Sequence, residues 1–570
     1  MAAFRSNKQR KRFLLYFLGF FLLVFVVLFV FANRFVAPVL RDRLNTLIVT
    51  GSDSLYTYQL GKLNVNFFGG NVEVNDLHIW VDSTHYQKLD RQKALPALTF
   101  RLDLQKGHIK GLGVYALIFG KQIRIKEILS REAKVNLSRH VYEKVKEGKK
   151  VEADTAYEAV PLWKAIQPMI RSIDIGRIHL DGIELLYKNA DTARSVKLQF
   201  DRCEALFEDV RVDSLAEADT GRIAFTRAIT MDFYDLKFRT PDSTYKMKAE
   251  VIRYSSTKRT FEINDFKLQP TLKREEFVRT AAHQQSLYTV LFKKALFTGL
   301  QLERFINNNV LAADSVLIEE PDIDIYNDKT LPSIFVNKIG QYPHQHLLRS
   351  SATVQVNGMR LSQGRLAYTE KAEKTGKEGT LAFDNLNAVF SNVTNDPRIS
   401  SKTPECTALL TATMFRNAPV TLGFTFYLNE TDGKFAARGG IKGVSAAQLN
   451  TVAEPLGNIH IQSLQVDSLS FLVQGDDYSA RGEVHMRYRN LMLVLRKADE
   501  ETGQVKTKKF LTKLLNKFAL YDSNPGSDGK ERVATNVVYA RTSSKSFIGV
   551  VWKTIFAGMQ NIMMTAGRYE

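Results

Sequence analysis

Two short stretches carry residue types able to do chemistry. Asp322 and Asp324 flank Ile323 in EEPDIDIYNDK, an Asp-x-Asp spacing that could present two carboxylates to a divalent cation. His344 and His346 in QYPHQHLL stand two apart, a spacing that on a strand would set both imidazoles on one face, but they read as loop histidines. Neither stretch completes a site. Ile323 and Ile325 alternate with the two aspartates as in an ordinary half-exposed strand. No third ligand at metal spacing accompanies the histidines. Gly-x-Ser-x-Gly, phosphate-loop and His-Glu-x-x-His patterns do not occur. Cys203 and Cys406 lie far apart and match no metal-ligand spacing; one long-range disulfide between them stays open. The expectation is no catalytic residue, no metal and no cofactor: not an enzyme. A type II membrane glycosyltransferase using Asp322 and Asp324 is the distant alternative, but the run of parallel strands and helices such enzymes need is missing.

The elements around these residues begin with a compartment signal. Residues 13–32, FLLYFLGFFLLVFVVLFVFA, hold no charge, and twenty residues of helix rise about 30 Å, the thickness of a bilayer core. Phe13, Leu14, Leu15, Phe20, Val24, Leu28 and Phe31 would form this anchor. A basic tail, residues 1–12, precedes it with five cations from Arg5 to Arg12, against Arg34, Arg41 and Arg43 after it. That asymmetry puts the N-terminus in the cytoplasm and the bulk outside it. The chain of 570 residues, 24% charged and 44% hydrophobic, is long enough for several domains. Its net charge of +19 is interleaved with 60 acidic residues, which argues against nucleic acid; it reads as a solvated basic surface, with attraction to anionic headgroups as the functional alternative.

Beyond the anchor the hydrophobic period is two. In a first β region, residues 33–271, Leu63, Val65 and Phe67 alternate with asparagines, then Val72 and Val74 follow a Gly69-Gly70 turn. Ile123 and Ile125 continue the pattern, as do Ile173, Ile175, Ile178 and Leu180, with a slip at Gly176-Arg177 that predicts a bulge. The charged stretch 142–155 reads as a loop. Residues 272–299 read as a helical connector and 300–497 as a second β region, where Leu422, Phe424, Phe426 and Leu428 share a face, as do Val484 and Met486. One dry and one wet face per strand favours antiparallel pairing. Residues 498–570 turn helical. A basic amphipathic helix over 506–520 carries Lys509, Lys513 and Lys517, and an apolar helix over 546–566 carries Phe547, Val551, Trp552 and Ile555. These residues are the candidates for a membrane-surface or partner helix. The predicted fold is mainly β: a transmembrane helix, then a long, curled antiparallel sheet with short inserted helices and two C-terminal helices.

Wording as well as period is informative. The order of strand, Gly439-Gly440, an element with Leu449, Asn450 and Pro455, then ARGEVHMRYRNL resembles the AsmA-like family of Gram-negative envelope proteins. So do VLAADSVLIEEPDIDIYNDK, LAYTEKAEKTGKEGTLAFDNLNAVFSNVTN and NVNFFGGNVEVNDLHIWVDS. The resemblance covers most of the chain and contains no catalytic signature. It implies a single-pass inner-membrane protein with a periplasmic β-groove, binding or conducting phospholipid between inner and outer membrane in support of outer-membrane biogenesis. The candidate lipid-facing residues are then Leu63, Val65, Phe67, Ile123, Ile125, Leu422, Phe424, Phe426, Leu428, Val484 and Met486. The implied partners are the inner membrane, phospholipid, and an outer-membrane or periplasmic protein at the C-terminal end. A non-transporting scaffold for outer-membrane protein assembly is the alternative. The same alternation would also build a closed core, and periodicity does not separate a core from a lipid track.

Overall fold

The computed structural model describes residues 41–565 apart from 43, 46–47, 67–68, 97, 141, 147–148, 154–169, 190–196, 220, 224, 499–504 and 508–519. The chain is mainly β, 59% strand and 17% helix. The predicted anchor, Phe13 to Ala32, lies outside the described residues, among which no helix is long and apolar enough to cross a membrane. Two compact units emerge. One comprises Met1–Asp242 with Val251–Thr257, the other Ser243–Glu250 with Lys258–Glu570. The division thus falls before the expected boundary at residue 272.

The first unit contains β1 (Tyr56–Asn66), β2 (Asn71–Val81), β3 (Leu98–Lys110), β4 (Gln122–Arg139), β5 (Tyr142–Lys146), β6 (Lys149–Ala153), β7 (Ser172–Asn189), β8 (Lys197–Val212) and β9 (Thr226–Arg239). Strands β1 to β4 and β7 to β9 form one ladder in chain order. The hairpin at Gly69-Gly70 is as expected, with Leu63 opposite Val74 and Val65 opposite Val72. The β5–β6 stretch, expected as a loop, is a separate two-stranded hairpin.

Residues of β10 (Tyr245–Ser255) divide between the units. The second unit continues with β11 (Thr260–Pro270), β12 (Ser286–Thr298), β13 (Val310–Glu319), β14 (Asp322–Asp328), β15 (Thr353–Lys371), β16 (Glu378–Thr394), β17 (Glu405–Met414), β18 (Ala418–Tyr427), β19 (Phe435–Ser445), β20 (Ile459–Gly475), β21 (Ser479–Ala498), β22 (Val505–Thr507) and β23 (Val533–Ala540). Strands β13 and β14 are one interrupted strand, both lying between β12 and β15. The break comes at Glu320 (φ 50) and Pro321, where proline cannot donate to the ladder.

Several expectations are corrected here. The 272–299 connector is helical only over Arg274–Thr280, and Ser286–Thr298 is β12. Its apolar residues pair with β11, Phe266 opposite Phe292 and Phe261 opposite Phe297, so tertiary pairing overrides local helical character. The sheets are not uniformly antiparallel: β4–β7, β13–β15 and β14–β15 run parallel. Where 506–520 was expected to be helical, Val505–Thr507 is a short strand against β21, and Lys509, Lys513 and Lys517 lie outside the described residues. Gly439 and Gly440, glycines that by type would mark a turn, sit inside β19, where a Cβ on Gly439 would stand 2.6 Å from the Thr421 carbonyl oxygen.

A repeated device keeps one face apolar. Asp76 (φ 54) in β2 lies opposite Gln105 of β3, which faces Glu132 (φ 57) of β4, which faces Gly182 (φ 65) of β7. At this line the apolar positions change parity, from Val72 and Val74 to Leu77 and Ile79 in β2. Leu77 nevertheless packs with Val72 and Val74. A left-handed residue in mid-strand turns the following side chains to the opposite face. The second unit repeats the arrangement at Asp265 (φ 50), Lys293, Glu320 and Gln363 (φ 56), and Asp265 is ion-paired with Lys293 at 3.0 Å. The slip seen at Gly176-Arg177 is a similar parity change without a register shift; the shift in β7–β8 lies between Leu180 and Leu185.

Candidate functional site

The apolar face of the first unit gathers four of the sequence candidates. Leu63, Val65, Ile123 and Ile125 pack around Val72, Val74 and Leu112, so β1, β2 and β4 do present them together. Val65 is buried beneath this cluster, whereas Leu63, Ile123 and Ile125 are only half-buried. Phe67 lies outside the described residues. The same face continues through Leu102, Ile128, Val135, Ile178, Leu185, Phe207 and Phe233, all half-buried. The principal contacts among the described elements of this unit are those of neighbouring strands, with short helices meeting β4 and β8. A side chain shielded only by its lateral neighbours keeps much of its apolar area in water, at about 25 cal/mol per Å² left uncovered. Sequence reading overlooked Leu60, Leu77, Leu102 and Leu104, which join the face out of simple alternation; the signal was the parity slip at Gly61 and Asp76.

In the second unit the corresponding residues are covered. Phe426 and Leu428 are buried and Phe424 is half-buried in a cluster with Phe435, Val473, Phe547, Val550, Val551 and Ile555. Val484 and Met486 are buried in the adjoining cluster with Tyr488, Val537 and Ile562. Leu422 is half-buried. The cover is the expected C-terminal helix, Phe547–Met563, started by the Ser546 hydroxyl accepting from the Gly549 N–H. It comes close because Gly558 rests on Val484 and Gly482 rests under Thr554, where a Cβ would stand 2.8 Å from the threonine methyl. Phe547 meets Phe435, Phe426, Tyr342 and Phe424 with ring centroids 4.9 to 5.6 Å away. Phe424, Phe426, Leu428, Val484 and Met486 therefore line a closed core here, and Phe547, Val551 and Ile555 point inward. Of the four helix candidates, only Trp552 faces outward.

The residues able to do chemistry are otherwise engaged. Asp322 and Asp324 both accept from Arg365 Nη1, at 2.8 and 3.0 Å, and the guanidinium pKa is raised chiefly by the hydrogen bond to Asp322. His344 and His346 lie on a helix, Pro343–Leu348, not on a strand; His344 is buried and His346 exposed, so they cannot share an ion. Neither ring nitrogen of His344 has a hydrogen-bond partner, its ring lies 4.9 Å from that of Phe426, and burial pulls its pKa down to about 4. Cys203 and Cys406 are free and buried, with thiols pushed up to about 12 and about 11 by desolvation. Among the described residues no group of three or more His, Cys, Asp or Glu could hold a metal. A cavity of about 360 Å³ beside Lys246, Gln269, Arg274, Thr289 and Asp324 is partly filled by charge pairing, with Arg274 over the Tyr326 ring at 4.2 Å and 3.4 Å from Glu378.

One polar cluster had no sequence signal. Arg541, its side chain fully buried, donates to Asp477 Oδ1 at 2.7 Å and to the Lys338 carbonyl at 2.6 Å, and lies over the Tyr342 ring. Gln345 donates to Asp477 Oδ2 at 2.6 Å, and the Gly340 N–H donates to Asp477 Oδ1 at 3.0 Å. These partners are separated by 64 to 203 residues, beyond any local pattern. No protein-family model matches the chain, and no curated protein matches it.

Proposed function

We propose that the chain is an inner-membrane-anchored periplasmic protein of the AsmA-like type. In this reading it binds or conducts phospholipid toward the outer membrane and is not an enzyme. The observation that carries the reading is the long apolar face of β1–β4 and β7–β9, on which buried residues such as Val72 and Ala133 alternate with many half-buried ones, and whose principal contacts among the described elements are those of neighbouring strands. Such a face gives acyl chains a dry surface while headgroups stay in water, and it gains about 0.8 kcal/mol for each methylene covered. The pairing of Asp322 and Asp324 with Arg365 supports the absence of transferase chemistry.

The test is photo-crosslinking from two places in the full chain. A crosslinker at Ile128 should capture phospholipid, whereas one at Phe424 should capture the helix Phe547–Met563. Capture of only protein neighbours from Ile128 would remove the lipid track. Native mass spectrometry of the purified chain should show phospholipid retained.

A further inference from the structure

We infer that Phe335, Tyr478, Ile548 and Trp552 build a docking face for a bilayer surface rich in anionic headgroups. The inference rests on the lipid-handling reading and deepens it by naming where a membrane would be met. These four side chains belong to the second unit and are 76%, 68%, 62% and 52% exposed. Ile334, Val336 and Phe556, on the same segments, are exposed as well. Trp552 and Phe556 stand one helical turn apart, with ring centroids at 6.0 Å. Large apolar side chains left exposed on segments that are hydrogen-bonded together mark an interaction site.

Three separate segments are locked together to hold them there. The Lys338 N–H donates to the Ser543 carbonyl at 2.7 Å, and the Arg541 N–H donates to the Tyr478 carbonyl at 2.8 Å. The Arg541–Asp477 pair joins the Phe335 loop, the Tyr478 turn and the approach to Ile548 from beneath. An exposed aromatic on a loose loop would fold back onto the protein. Here a buried ion pair holds the segments of Phe335, Tyr478 and Ile548 in place, as pre-organisation for a partner requires.

Charge selects the occupant. Residues 329–349 and 541–565 contain no aspartate or glutamate, but include Lys329, Lys338, Arg349, Arg541, Lys545 and Lys553. Arg541 is spent on Asp477; Lys545 and Lys553 are exposed on the helix side. Acids on the Tyr478 turn and the adjoining 430–434 turn are engaged: Asp476 accepts from the Tyr478 and Ser479 N–H groups, Asp432 from the Lys434 N–H, and Glu430 lies 4.0 Å from Lys434. Tryptophan and tyrosine at headgroup level with lysines beside them is the composition of an interfacial contact, each lysine adding attraction to anionic lipid.

The test reconstitutes the full chain in nanodiscs and measures its co-flotation with separate vesicles of phosphatidylcholine, with or without 30% phosphatidylglycerol. The wild type should float with the anionic vesicles and at least about tenfold less with neutral ones. Phe335→Ser, Tyr478→Ser, Ile548→Ser and Trp552→Ser combined should abolish flotation without altering thermal unfolding, since all four are exposed. Lys545→Glu with Lys553→Glu should weaken capture by anionic vesicles roughly thirtyfold or more. Wild-type flotation unaffected by the serine variant would overturn the inference. So would a wild type that ignores vesicles but self-associates through this face, or one whose face is occupied by residues 508–519 of its own chain in crosslinks. Phospholipid retained by the serine variant in native mass spectrometry would separate the two ideas: a lost dock with retained lipid leaves the proposed function standing, and a working dock on a lipid-free chain does the reverse.

Discussion

Acidification should destabilise the second unit through one residue, His344. Its imidazole is buried against Phe426 and Tyr342 with both nitrogens unpartnered. Asp477 and Asp432 favour the charged form but do not offset burial, which holds the pKa at about 4 against an ordinary 6.5. The unfolded chain therefore takes up a proton near 6.5 that the folded chain refuses until about 4. More protons on the unfolded side means stability rises with pH, so it is full above about 6.5 and is lost as the pH falls toward 4. From about pH 7.5 to about pH 5 the loss attributable to this group is about 2 kcal/mol. Urea unfolding followed by Trp552 fluorescence, with Trp80 and Trp163 replaced by phenylalanine, measures it. His344→Leu supplies the comparison, because other groups titrate over the same interval. The wild type should lose about 2 kcal/mol more than the variant on acidification. Equal losses would mean that the ring is solvated or partnered, and the reasoning from its burial would be wrong.

Other consequences are as direct. Gly558→Leu should lift the helix Phe547–Met563 from Val484 and cost at least about 1–3 kcal/mol in urea unfolding, with the helix cut earlier in limited proteolysis. Arg541→Met should strand a buried carboxylate on Asp477 and cost about 3–5 kcal/mol, much of it recovered in the double variant with Asp477→Leu. Cys203 and Cys406 should resist alkylation at neutral pH until denaturant is added. Because the unfolded thiols ionise near 8.5 while the folded ones keep their protons to about 12 and about 11, stability should also fall as the pH rises above about 8.5.

How much was legible in the sequence depended on range. The hairpin at Gly69-Gly70, the strand carrying Leu422 to Phe426 and the helix at 547–563 each declare themselves in a few residues, and each is present. The strand at 286–298 did not, because FKKALF reads equally as helix until β11 offers Phe261 and Phe266 as partners. The face of Leu63 and Ile123 was readable from alternation, yet alternation is silent on what lies over it. Phe424 has the same pattern as Leu63 and is covered by a helix more than a hundred residues away in the chain. His344 and His346 read as loop histidines because Pro343 was not weighed as the first residue of a short helix.

The parity reversals at Asp76, Glu132 and Gly182 also bear on how such a chain tolerates change in length. One residue inserted into an uninterrupted strand inverts every side chain beyond it, exposing the apolar ones. At these positions the ladder already contains such an inversion, matched across neighbouring strands. The left-handed line is thus a seam along which the two halves of each strand are phased separately. A compensated pair, one residue deleted at the seam and one added at the strand's end, shifts a single half and leaves the other half's phase untouched.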